Sequence, residues 1–122
     1  MLRLSRKPPT AYPDRSAPFN EAYSNLKINL DFALARRDIR TIAVTSACSG
    51  EGKTTSAIHL AAAYAASGKS VVLLDGNLRN PVLHHWSAYG FLVGLSDYLG
   101  NPSTVLFDII GKSVLERVAL IT

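Results

Sequence analysis

Residues 47 to 55 read ACSGEGKTT and bring two glycines, one lysine and three hydroxyl side chains into nine positions. Gly50 and Gly52 permit backbone angles that side chains forbid, so successive N–H groups can converge on one anion. Lys53 can reach the outer phosphates of a nucleotide, and the hydroxyl of Thr54 can coordinate a Mg²⁺ ion that bridges them. The segment predicts a phosphate-binding loop. The alternative is a glycine-rich turn with an exposed lysine.

The candidate site extends beyond the glycines. The predicted nucleotide-binding residues are Ser49, Gly50, Glu51, Gly52, Lys53, Thr54 and Thr55. Asp75 ends the next apolar run, so its carboxylate is expected near the phosphates, where it can hold Mg²⁺ or accept a proton. We therefore predict Lys53 and Asp75 as catalytic residues and Thr54 and Asp75 as metal ligands. The alternative for Asp75 is a structural cap of the following turn.

Two strands and a helix are predicted to position this loop. The β-branched run at about 41–46 predicts a buried strand before the loop. The alanine-rich segment 53–67 predicts a helix that Gly68 ends. The run KSVVLLD, residues 69–75, predicts a second buried strand. Together they indicate a βαβ unit with parallel pairing of its two strands.

The flanking segments carry weaker periodicity. Apolar residues spaced by three and four over 19–37 predict an amphipathic helix with Asn20 as its cap. Further on, the predicted elements are a short helix within 80–90, another over Gly94–Leu99, a helix or amphipathic strand over 103–110, and a strand beginning within 116–122. The predicted fold class is α/β, of the P-loop NTPase type, with a Rossmann-like parallel sheet flanked by helices and apparently truncated.

Composition limits where and how the chain acts. With 48% hydrophobic and 18% charged residues, the 122-residue chain is expected to form one globular domain over 18–122. Residues 1–17 form a basic, proline-rich tail, either a solvated extension or a contact for an anionic membrane or an acidic partner. Nucleic acid is not expected, because no aromatic residues interleave with those charges. Cys48 is the only cysteine, which favours a reducing cytoplasm. No signal peptide or membrane-spanning run is found, so membrane contact is expected through a partner.

The segment VTSACSGEGKTTSAIHLAAAYAASGKSVVLLDGNLRNP, followed by GLSDYLGN, resembles the bacterial tyrosine kinases that regulate capsule and exopolysaccharide synthesis. These are P-loop proteins related to partition ATPases. The resemblance implies Mg-ATP binding and phosphorylation of tyrosines, commonly in a C-terminal cluster of a neighbouring subunit in a ring. It also implies a membrane-bound polysaccharide-synthesis adaptor or co-polymerase as partner, and a homo-oligomer. Asp75 matches the first acid of the family's second motif, and Arg79 matches that motif's arginine.

The sequence departs from this family at several points. Asn77 replaces the second acid of the Asp-x-Asp pattern and keeps an oxygen ligand without its charge. Ser24 and Lys27 stand where the family's oligomerisation helix carries two arginines, and neither makes a bidentate pair with a carboxylate. The third nucleotide motif and a tyrosine cluster are not found within the 122 residues. The resemblance therefore covers the N-terminal part of such a kinase domain, and phosphotransfer by these residues alone is not expected.

Two other functions stay open from the sequence. A partition or positioning ATPase of the same superfamily would typically carry a lysine at the position of Cys48. A nucleotide-binding scaffold without transfer activity agrees with Asn77 and the missing third motif. His84 and His85 are adjacent, so their side chains are expected to diverge and to make a poor metal chelate. We interpret Cys48 as an incidental loop residue, with redox sensing as the alternative.

Overall fold

The computed structural model describes residues 16–35, 37–90 and 93–122, so the predicted basic tail lies almost entirely outside the described residues. The first helix, α1, spans Ala17–Leu34. Ser16 is its N-cap, and the Ser16 carbonyl oxygen accepts the N–H groups of Phe19 and Asn20. The predicted cap at Asn20 is therefore wrong. Pro18 suits the first turn because its fixed φ is helical and its missing N–H would have no helical partner there.

The second helix, α2, spans Lys53–Ala66 and agrees with the prediction. It follows Gly52 (φ 86°), and it ends where Gly68 adopts φ 87°. Residues 67–70 then lead into strand β1, Val71–Leu74, with Asp75 directly after it. Because this link is short and α2 packs on β1, the start of α2 lies toward the end of β1 that carries Asp75.

The remaining elements are short. They are a 3₁₀ helix at Leu83–Trp86, helices α3 (Leu95–Gly100) and α4 (Leu106–Ile109), and strands β2 (Gly111–Lys112) and β3 (Val118–Ile121). The helices predicted within 80–90 and from Gly94 are confirmed, segment 103–110 contains the short helix α4, and the last strand is present. Strand β2 was not predicted, because two residues that include a glycine carry no strand signal.

The three strands form one sheet in the order β1-β3-β2. β3 lies in the middle, parallel to β1 with Val71 opposite Val118, and antiparallel to β2 with Gly111 opposite Leu120. The parallel neighbour of β1 is thus the last strand of the chain. The expected pairing of β1 with the segment before the loop does not occur.

The strand predicted at 41–46 is also wrong. Residues 39–46 adopt no strand, and Ile42 and Val44 are each 40% exposed. A strand requires the hydrogen-bonding groups of a neighbour, and no strand of the described residues pairs with this segment. A β-branched run supplies the propensity for a strand but does not supply its partner.

The core lies between α2 and the sheet. Ile58 and Ala61 of α2 pack against Val118 and Leu120 of β3, and Trp86 of the 3₁₀ helix completes the cluster. Burying an isoleucine, valine or leucine side chain of this cluster contributes about 1.5–3 kcal/mol. This packing fixes α2, and with it the loop that precedes α2, against the sheet.

Helix α1 packs along α2 through polar and aromatic contacts. The Tyr23 ring stacks on His59 with centroids 5.0 Å apart and 21° between planes, and the Tyr23 hydroxyl donates to Ser56 Oγ at 3.3 Å. Nearer its end, Lys27 pairs with Asp31 at 2.8 Å. The contacts of Tyr23 join α1 to the first two turns of α2, which directly follow the loop.

Candidate active site

The loop before α2 depends on two glycines in the left-handed region. Gly50 has φ 80° and Gly52 has φ 86°, and a Cβ added at either position would meet no atom within 4 Å. Glycine is therefore required by the backbone angle and not by lack of space. These angles turn the loop between residue 49 and the start of α2, as the sequence predicts.

Lys53 points back over the loop that precedes it. Its Nζ donates to Ser46 Oγ at 2.7 Å and to the carbonyl oxygen of Cys48 at 3.0 Å. Both acceptors are neutral, and among the described residues no carboxylate forms an ion pair with Lys53. The cation is thus held at the loop by groups that a phosphate can displace or supplement.

Ser46 was not among the predicted site residues. Its hydroxyl accepts from Lys53 and donates to the carbonyl oxygen of Cys48 at 2.8 Å. The signal in the sequence was a hydroxyl residue directly before the glycine-rich segment. The predicted region began three residues later and therefore left it out.

The hydroxyl residues after Lys53 lie in the first turn of α2. Thr54 is half-buried and Thr55 is exposed. The carbonyl oxygen of Thr55 accepts a hydrogen bond from Nδ1 of His59 at 2.7 Å, because a carbonyl oxygen can only accept. His59 therefore links the first turn of α2 to the aromatic contact with α1.

Asp75 is buried, at 8% exposure, and accepts three backbone N–H groups. Oδ1 accepts from Asn77 at 3.0 Å, and Oδ2 accepts from Val82 at 2.8 Å and Leu83 at 3.0 Å. The carboxylate thus caps the turn that follows β1. A carboxylate offers about four acceptor positions, so one direction at Oδ1 is left for a further ligand.

Other candidate residues lie around this turn. Asn77 uses its side-chain oxygen to accept the N–H of Asn80 at 3.3 Å. The rings of His84 and His85 lie 3.9 Å apart, so the expected divergence is wrong; rotation about the side-chain bonds brings the rings together although their Cβ atoms diverge. Among the described residues, no group of three or more metal-binding His, Cys, Asp or Glu residues occurs.

Comparisons with known proteins show which proteins this chain is similar to. Residues 42–98 match the CobQ/CobB/MinD/ParA nucleotide binding domain. The chain is 38% identical over 86 residues to tyrosine-protein kinase YwqD of Bacillus subtilis, covering 70% of this chain and 36% of YwqD. It is 43% identical over 65 residues to succinoglycan biosynthesis transport protein ExoP of Rhizobium meliloti, covering 53% and 8%. The solved BceF tyrosine kinase domain superposes with a TM-score of 0.73 at 27% identity, covering 84% of this chain and 40% of that one.

The α/β fold is of the P-loop NTPase type, and residues 42–98 are similar to the CobQ/CobB/MinD/ParA nucleotide binding domain. Within that class, the chain is similar to bacterial tyrosine-protein kinases, and the expected resemblance and α/β fold class are confirmed. The chain spans less than half the length of the kinases it matches. Among the described residues, no helix is both long and apolar enough to cross a membrane.

Proposed function

We propose that this chain is the ATP-binding part of a bacterial protein-tyrosine kinase that acts in exopolysaccharide synthesis. The observation that carries the proposal is the loop between residues 46 and 54, where two left-handed glycines turn the backbone and Lys53 lies over the loop on neutral acceptors. Such a loop, followed by the positive end of α2, suits the phosphates of a nucleotide. The kinase names of the relatives support ATP as that nucleotide and tyrosine as the acceptor.

In the proposed reaction, a tyrosine phenol oxygen attacks the γ-phosphorus of ATP. The bond from that phosphorus to the bridging oxygen breaks, ADP leaves, and the phenolic proton passes to a base or to water. Lys53 binds the outer phosphates, and the N–H groups of residues 49–55 surround them. Asp75 is the carboxylate proposed to take the proton or to hold a metal, through the acceptor direction left at Oδ1.

The residues present also fit a magnesium ion. The Thr54 hydroxyl and the Asp75 carboxylate are the hard oxygen ligands that Mg²⁺ takes, and Mg²⁺ usually keeps several waters and needs few protein ligands. We propose that these two residues hold it. When bound, the ion supplies positive charge beside the phosphates.

We further propose that the protein acts with a membrane-bound partner of polysaccharide synthesis, at the cytoplasmic face of the membrane. The name of the relative ExoP supports this, because that protein serves succinoglycan biosynthesis and transport, and the matched segment is 8% of its length. We also propose that several copies assemble, through a surface that does not include Lys27. The Lys27 side chain is already paired with Asp31 in its own helix. Co-purification from membranes would test the partner.

Calorimetric titration with Mg-ATP tests the nucleotide site. Lys53→Ala is expected to remove measurable binding, since it deletes the cation that lies over the loop. Lys112→Ala removes the same charge from an exposed position on β2 and is expected to bind as the wild type does. Equal affinity in all three proteins would disprove the phosphate loop.

A nucleotide-binding scaffold without transfer activity is the second candidate. It is favoured by the three backbone N–H groups on Asp75, which leave that carboxylate little freedom for chemistry. Labelled ATP, Mg²⁺ and a tyrosine-containing polymer distinguish the two functions. Label on tyrosine that depends on Lys53 supports the kinase. Because these residues alone are not expected to transfer phosphate, tight binding supports the scaffold only if transfer is still absent when the C-terminal part of a related kinase domain is added.

A further inference from the structure

Glu51 has contacts that its place in the glycine loop does not by itself require. It lies between the two left-handed glycines, and its side chain turns back so that Oε2 accepts the N–H of Cys48 at 3.0 Å. Hydrogen bonds from the Cys48 N–H first, then from the Ser46 hydroxyl and the Ala47 N–H, hold the pKa of Glu51 below its usual range. The single proton of the Ser46 hydroxyl is donated to the Cys48 carbonyl oxygen at 2.8 Å, so the Cys48 N–H is the group that holds the Glu51 carboxylate.

The contact also separates two opposite charges. Glu51 and Lys53 are two positions apart, but they bind opposite ends of the same residue. The Glu51 carboxylate accepts the N–H of Cys48, and the Lys53 ammonium donates to the Cys48 carbonyl oxygen. No ion pair joins the two side chains in the part of the chain that the structure describes. An ion pair there would neutralise the cation on which phosphate binding depends.

We propose that Glu51 is a positioning residue for the nucleotide loop. Its carboxylate ties residues 46–48 to the turn at 50–52, which orders the loop before nucleotide arrives and keeps Lys53 available. Less ordering then remains to be done on binding, and affinity rises accordingly. This role rests on the proposed nucleotide function. It predicts that removing the Glu51 carboxylate weakens nucleotide binding. Simple charge repulsion between Glu51 and phosphate predicts the opposite, that its removal strengthens binding.

Three variants separate the possibilities by calorimetry with Mg-ATP. Glu51→Ala loses the acceptor and is expected to weaken binding about five- to tenfold, the effect of one lost hydrogen bond of this kind. Glu51→Gln keeps an acceptor oxygen and is expected to stay within about threefold of the wild type. Glu116→Ala removes an equal charge from the exposed turn before β3 and is expected to match the wild type.

Hydrogen exchange of the Cys48 amide, measured without nucleotide, reports the contact itself. Protection is expected in the wild type and in Glu51→Gln, and its loss is expected in Glu51→Ala. Tighter binding by both Glu51 variants would mean that the carboxylate only repels phosphate, and the proposal would be overturned. A glutamine variant that keeps protection but binds as weakly as the alanine variant would also overturn it.

The outcomes also distinguish failure of the proposed nucleotide function from failure of the positioning role of Glu51. If the wild type binds no nucleotide, the proposed function fails and the positioning role fails with it. If the wild type binds and every Glu51 variant binds equally, only the positioning role fails. Because Glu51 is exposed, loss of the fold is not expected in any variant, and equal thermal midpoints would verify this.

Discussion

Asn77 lies two residues after Asp75, within the turn that Asp75 caps, and its backbone N–H donates to the Asp75 carboxylate. An aspartate at this position would place a second carboxylate close to the first. Without a metal the two charges repel, and with a divalent cation they become joint ligands. The position therefore reports whether a cation binds at the end of β1.

We expect Asn77→Asp to be stabilised by Mg²⁺ by several degrees more than the wild type, because the ion relieves this repulsion. Thermal unfolding with Mg²⁺ and with a chelator measures the difference. Asn101→Asp is the matched control, since Asn101 also accepts a backbone N–H in a turn, from Ser103 at 3.0 Å. The same Mg²⁺ effect in both variants would place the metal elsewhere.

The loop was predictable because its chemistry is local. The left-handed angles of Gly50 and Gly52 follow from their own residue type, so the conformation of the loop could be predicted from its sequence, while the phosphate-binding role of Lys53 stays a prediction. The structural contacts of Asp75 were predictable only as one of two alternatives, because its three N–H partners come from residues up to eight positions later. Its metal-binding role stays a prediction.

At the scale of elements, the pairing of α1 with α2 rests on few contacts at its loop end. The Tyr23 ring stacks on His59, and its hydroxyl bonds Ser56. Phe19 adds a tilted contact with the same imidazole at 5.0 Å. Since His59 also bonds the carbonyl oxygen of Thr55, the stack supports the turn that carries the proposed phosphate ligands.

Truncating Tyr23 separates its ring from its hydroxyl. Tyr23→Phe is expected to cost about 0.5–1.5 kcal/mol of unfolding free energy, as for one net hydrogen bond. Tyr23→Ala is expected to cost more, because the aromatic pair is worth about 0.5–1.5 kcal/mol beyond its buried area. Urea unfolding measures both. Equal stability of the phenylalanine variant and the wild type would mean that the hydroxyl contributes nothing.

Tyr64, at the far end of the contact between α1 and α2, predicts that the free energy of unfolding falls at alkaline pH. Burial first, and then Asp31, raises the pKa of Tyr64 above its ordinary value. A raised pKa in the folded state contributes stability below the ordinary pKa of about 10, and this stability is lost as pH rises through the folded value. We expect Tyr64→Phe to lose less stability than the wild type as the pH rises above about 10. Parallel losses in urea titrations would contradict this.

Non-local pairing explains where the sequence was insufficient. The run at 41–46 has the residue types of a buried strand, but its partner is not specified by its own composition, and no described strand pairs with it. β2 carries no strand signal and exists because β3 presents it with an edge. Helices, whose hydrogen bonds are local, were predicted more closely: the bounds of α2 differ by one residue from the prediction.

At the scale of the whole molecule, the sheet is covered unevenly. β1 is an edge strand, and Val72 and Leu74 on its outer face are 56% and 55% exposed. Parallel strands are normally buried on both faces, and an unpaired apolar edge is a template for association. The surface formed by Val72, Leu74 and the free edge of β1 is therefore expected to bind other polypeptide surfaces.

We expect the isolated chain to self-associate through this surface and Val72→Lys to reduce the association. Val105→Lys is a matched control, because Val105 is also a valine at 56% exposure but lies just before α4. Sedimentation velocity at several concentrations measures the effect. Association that the two lysine variants reduce equally would assign it to general hydrophobicity and not to the edge of β1.

The central position of β3 has a consequence for synthesis on the ribosome. Among the described strands, β1 pairs only with β3, whose residues follow it by more than forty positions, and β2 pairs only with that same late strand. Translation delivers these residues after everything else described here, at about 5–20 residues per second. Strand β1 therefore waits for seconds before its partner in this sheet exists, with its apolar residues open to chaperones throughout that interval.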